Sequence, residues 1–122
     1  MPPNDNTKQN PLIMLEDALT LVEDAITMAE EALERNPSKG KERDLNETLV
    51  KLRRKQAEIG AKLDSLIAGT IQVPRPTAAQ VKEISDLTGE VEKQTNAAIT
   101  ASGAVALTSK VLALATAVAS RS

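Results

Sequence analysis

Residues 15–35 read Leu15-Glu16-Asp17-Ala18-Leu19-Thr20-Leu21, Val22-Glu23-Asp24-Ala25-Ile26-Thr27-Met28, Ala29-Glu30-Glu31-Ala32-Leu33-Glu34-Arg35. This is one heptad written three times. With Leu12 in front, the apolar positions Leu12, Leu15, Leu19, Val22, Ile26, Ala29 and Leu33 alternate in steps of three and four. Such spacing keeps them on one face of a helix and predicts a coiled-coil seam. Ala18, Ala25 and Ala32 flank the seam. Leu21 and Met28 widen the apolar surface, so this helix is expected to touch more than one neighbour. Asn10-Pro11 supplies an N-cap and a first-turn proline. Asn36-Pro37 ends the run, because a residue before proline avoids helical ψ. The predicted helix therefore covers about 11–35.

Working outward, a second segment runs from about 38 to 68, with Gly69 as its stop. Its seam is Leu45, Leu49, Leu52, Gln56, Ile59, Leu63 and Leu66, with Val50 and Ile67 adding side contacts. The single polar member, Gln56, is read as a register-setting residue rather than a ligand contact. Folding this segment back about residue 39 sets Leu33 against Leu45, Ile26 against Leu52, Val22 against Gln56, Leu19 against Ile59 and Leu12 against Leu66. Charge agrees with the pairing. Residues 10–36 hold seven acids and one base, a net −6, whereas residues 37–69 hold eight bases and five acids, a net +3. The same register places Glu16 opposite Lys62, Glu23 opposite Lys55 and Asp24 opposite Arg54. Exposed pairs contribute only about 0.2–1 kcal/mol each. They select the antiparallel register, while burial of the leucine seam, at roughly 25 cal/mol per Å², drives it.

A linker over 70–76 follows, extended by Val73-Pro74-Arg75-Pro76. Thr77-Ala78-Ala79-Gln80 then forms a capping box that opens a third segment over about 78–119. Unbroken, that segment would measure about 63 Å against about 40 Å for the first two helices. It must therefore bend or break, with Gly103 the expected place, or project beyond the hairpin. The expected fold is all-α: an antiparallel helical hairpin plus a long third helical segment, giving a three-helix bundle, or a four-helix bundle if the chain breaks near Gly103. One domain is expected over 11–122, preceded by a flexible polar tail over 1–10.

The end of the third segment, residues 97–119, is dominated by Ala, Ser, Thr and Gly, with Lys110 as its only charge. It is long enough to cross a bilayer. Yet Ala is barely apolar, and no aromatic residue anchors either end. It reads first as a buried helix packed on the hairpin or on a second copy, and second as a membrane-inserting helix. Its apolar surplus makes Ile99, Val105, Leu107, Val111, Leu112, Leu114 and Val118, together with Leu21 and Met28, the candidate interaction surface. The basic run Lys51, Arg53, Arg54 and Lys55 is a candidate patch for an anionic partner, weighed against simple pairing with the acids opposite.

Composition removes whole chemistries. The chain of 122 residues has no Phe, Tyr, Trp, His or Cys. There is no imidazole for a catalytic triad, no thiol nucleophile, and none of the usual ligands of zinc or haem iron. Base stacking on aromatic platforms is excluded, and a net charge of −2 does not suit a phosphate-backbone binder. The acidic stripe Glu16/Asp17, Glu23/Asp24, Glu30/Glu31 repeats at seven residues, roughly 10.5 Å, too far apart to share one cation. No spacing of Lys, Asp, Glu, Ser or Thr singles out a catalytic group. The expectation is a protein with no enzymatic activity, cofactor or metal, whose partner is another protein or a second copy of itself and not a nucleic acid. Its rival is a membrane-active helical protein working through residues 97–119. Met1–Asn10 lacks a basic stretch followed by an apolar one, so a cytoplasmic location is expected, with secretion without a cleaved signal left open.

The hairpin Leu12–Ile67, turning at Asn36-Pro37-Ser38, resembles the subunits of bacterial type III secretion needles, short helical hairpins with a proline-containing turn that polymerise into tubes. The resemblance covers under half of the chain and implies an assembly subunit. The third segment and the missing aromatics depart from that pattern. Small helical secretion chaperones, immunity proteins and phasins share the same generic features.

Overall fold

The computed structural model describes residues 10–96 and 99–121, and these form four helices. They are α1 (Pro11–Leu33), α2 (Lys39–Ile67), α3 (Ala78–Asn96) and α4 (Ala101–Ala119). The tail expected over 1–10 lies, Asn10 apart, outside the described residues.

Local chemistry sets each boundary. The Asn10 side chain accepts from the Leu12 N–H at 2.8 Å, and Pro11 sits where its missing N–H costs nothing. Asn36 takes a left-handed φ of 53°, one of the few non-glycine residues that tolerate it, and Ser38 caps α2 through the Lys41 N–H. Gly69, at φ 76°, ends α2. The predicted capping box forms in both directions: the Thr77 N–H donates to Gln80 Oε1 at 3.0 Å, and the Gln80 N–H donates to Thr77 Oγ1 at 3.1 Å.

The tight turn at 34–38 folds α2 back along α1, and the two share an extensive face. Leu15, Val22, Ile26, Ala29, Leu45, Leu49, Leu52 and Ile59 are all buried, as the two seams require. Gln56 reaches Glu23, its Nε2 donating to Oε2 at 3.3 Å. The expected cross-hairpin ion pairs do not form. Among the described residues Arg53 pairs with Glu30 at 2.7 Å, Lys55 pairs within α2 with Glu58 at 2.9 Å, and Lys62 donates to the Arg121 carbonyl. Helical phase explains the correction. Arg54 lies two positions, some 200°, from Leu52 and so projects away from α1 rather than across to Asp24.

The third segment is broken near Gly103, as expected, and the fold is the four-helix alternative: α3 ends at Asn96, α4 begins at Ala101, and Gly103 lies inside the first turn of α4. Thr100 is extended and its hydroxyl accepts from the Gly103 N–H at 3.0 Å, a helix N-cap. A Cβ on Gly103 would sit 2.8 Å from Thr100 Oγ1 and 2.9 Å from Gln94 Nε2. The glycine therefore accommodates the closely folded corner rather than making the break.

The two halves of that segment then pack separately. α4 contacts α1, α2 and α3, and α1 contacts α2, α3 and α4, whereas α2 and α3 share no substantial face. The cross-section is a rhombus with α1 and α4 along its short diagonal. These two helices carry Ala18, Ala25, Ala29 and Ala32 on one side and Ala104 and Ala115 on the other, all buried; small side chains permit close approach of helix axes. The 70–77 linker makes the arrangement reachable. Eight extended residues span up to ~26 Å, enough to carry the chain across the end of the core from one flank to the other. Val73 and Pro76 are buried on the way. The end of α4 closes the same corner. Arg121 donates to Gln80 Oε1 at 2.8 Å and to the Pro74 and Arg75 carbonyls.

Candidate functional site

The residues expected to form an interaction surface lie mostly inside the chain's own core. Leu21, Met28, Ile99, Leu107, Val111, Leu114 and Val118 are buried, and Val105 and Leu112 are half-buried against that core. The reason is that the third segment forms two helices, α3 ending at Asn96 and α4 beginning at Ala101. A continuous third helix would have left apolar length uncovered; two shorter helices cover it. The outward residues of α4 are Ser102, Ala106, Ser109, Lys110, Ala113, Thr116 and Ala117, small or polar throughout.

The basic run divides. Arg53 and Lys55 are engaged with Glu30 and Glu58. Lys51 and Arg54 are exposed and form no ion pair among the described residues. With Val50, which is 57% exposed, they occupy the side of α2 turned away from α1 and α4. That side carries its own periodicity. Arg43, Glu47, Val50, Arg54, Ala57 and Ala61 are all exposed and follow one another in steps of four and three. This second stripe was readable in the sequence but is masked there by the stronger leucine seam.

The site that sequence reasoning missed is the seam between α1 and α3. The helices run parallel there, because residues advance together along both: Ile13, Asp17 and Thr20 face Val81, Ile84, Thr88 and Gly89, and Asp24 and Thr27 face Val91 and Thr95. The depression has a larger part of about 630 Å³ and a smaller part of about 190 Å³, and Glu92 borders both. Ile13, Val81, Ile84 and Val91 supply an apolar floor. Asp17, Asp24 and Glu92 are its charged residues, and no base lines it. The crowding of acids is felt at Asp24. Partial burial first, then the neighbouring charges of Glu23 and Glu92, raise its carboxyl above the ordinary aspartate range. Which helices would flank this seam was not deducible from the sequence, since it depends on the side to which the linker carries α3.

Among the described residues no three acidic side chains converge as a metal ligand set would. Two further depressions are a mixed-charge hollow between α3 and α4, lined by Lys82, Asp86 and Lys110, and a small apolar notch at Pro11, Leu12, Leu66 and Ile67.

The chain matches no family model, no curated protein and no solved structure. The likeness to secretion-needle hairpins thus stands on the α1–α2 pattern alone.

Proposed function

We propose that this protein is a non-enzymatic helical interaction module that recognises a basic amphipathic helix through its α1/α3 groove. The observation that carries this function is the groove's lining: an apolar floor bordered by Asp17, Asp24 and Glu92 without a compensating base. A helix laid in such a groove buries its apolar stripe on the floor and brings its cations to the acidic border. Cation arrival also relieves the like-charge crowding around Asp24. The composition points the same way, since a chain without His or Cys has few means of nucleophilic or acid–base chemistry.

Fluorescence anisotropy tests it with a labelled synthetic helix of Leu, Ala and Lys. Binding is expected, together with its loss on Asp24→Lys and its absence for the matching helix of Leu, Ala and Glu. Equal binding of both peptides, or of neither, would refute the proposal.

A membrane-active role is the second reading. α4, with mean hydropathy 1.5 over its most apolar stretch, is long and apolar enough to cross a membrane by length and composition. Liposome flotation separates the two readings: co-flotation supports membrane action, and retention in the soluble fraction supports the interaction module.

A further inference from the structure

We propose that the occupant of the α1/α3 groove is the outward stripe of α2 from a second copy of this chain, so that copies join head to tail. This rests on the interaction-module reading and names its partner.

Four observations converge. First, the charges are complementary. The groove presents Asp17, Asp24 and Glu92 with no base; the stripe presents Arg43 and Arg54 against the single acid Glu47, with Lys51 beside it, and none of these three cations forms an ion pair among the described residues. Second, the stripe has the form a groove accepts. Val50, Arg54, Ala57 and Ala61 follow at steps of four, three and four, and the two alanines let the helix sit deep. Third, Val50 is one of two large hydrophobic residues exposed among the described residues, and it lies within the stripe that runs from Arg43 to Ala61. Fourth, the two surfaces belong to opposite flanks, because α2 and α3 share no substantial face. A contact between two different patches on opposite sides cannot close as a symmetric dimer. It continues as an open chain, or closes only as a ring.

Sedimentation velocity on the full chain tests this, with two variants. Lys51→Glu with Arg54→Glu reverses the stripe on a fully exposed face. Gly89→Gln fills the groove, and a Cβ at Gly89 meets no atom within 4 Å, so the fold is kept. The unaltered chain is expected to form dimers and longer species that shift toward monomer as salt rises from about 0.1 M to about 1 M. Each variant alone is expected to sediment as a monomer. Mixed in equal amounts they should give a heterodimer and nothing longer, because one contributes an intact groove and the other an intact stripe. A strictly monomeric unaltered chain, or assembly untouched by both variants, would overturn the inference. If that monomer still binds the Lys-rich helix and loses it on Gly89→Gln, self-association alone has failed. If it binds neither, the interaction module fails with it.

Discussion

Thr100 and Gly103 together form the corner at which the apolar C-terminal segment turns back on itself. The hydroxyl satisfies a first-turn N–H of α4, and the glycine leaves room for Gln94 and for the hydroxyl itself. Removing the cap by Thr100→Ala is expected to cost about 1 kcal/mol, read by urea unfolding. Gly60 is a contrasting glycine. It lies mid-helix in α2 with open space around a built Cβ. Gly60→Ala should therefore stabilise by about 0.5–1 kcal/mol, since it relieves backbone entropy without a clash. Asp24 gives a pH signature. Its folded-state carboxyl holds a proton more tightly than in the unfolded chain, through burial and the charges of Glu23 and Glu92. Its ionisation thus disfavours the fold. The penalty grows as pH rises from the ordinary aspartate value through the raised one, and is complete above it. Asp24→Asn is expected to melt higher than the unaltered chain at neutral pH, with the difference closing in acid; circular dichroism melts over a pH series check this.

At the scale of the elements, sequence spacing located most of the helix ends. Asn10-Pro11, Asn36-Pro37, Gly69 and the Thr77/Gln80 box act locally, and each acts as its chemistry dictates. The seam of Leu15, Val22, Leu45, Leu52 and Ile59 was equally legible, because burial follows periodicity directly. The ion pairing was not legible. The ion pairs failed because residue numbers that sum correctly ignore the 100° turned per residue, and Arg54 shows it most plainly. The break near Gly103 was legible as a break, but the glycine only leaves room for the corner, and Thr100 supplies the cap. Two substitutions on α2 separate its faces. Leu52→Ala, at a fully buried position, is expected to cost about 2–5 kcal/mol. Val50→Ala, on the exposed stripe, should change monomer stability by less than about 0.5 kcal/mol and weaken association instead.

For the whole molecule, topology sorts charge. Acid-rich α1, net −6 over residues 10–36, meets α3, which holds four acids and two bases over 78–96. Basic α2 lies on the other flank, beyond the α1/α4 pair. The sequence shows the unequal charges of its segments, but only the linker's path across the end of the core turns them into a polarised molecule. The α1/α3 groove and its acidic border were illegible for the same reason: Asp17 and Asp24 lie on α1, whereas Glu92 comes from α3, far along the chain. Everything depends on α4 lying inside, packed between α1, α2 and α3, rather than remaining a separate apolar appendage. Native-state hydrogen exchange measures this most directly. If α4 is internal, the amides of Val111, Leu114 and Val118 exchange only with global unfolding, at the same free energy as those of Val22 and Ala25. Exchange of the α4 amides well before those of α1, as an independently opening segment, would contradict it.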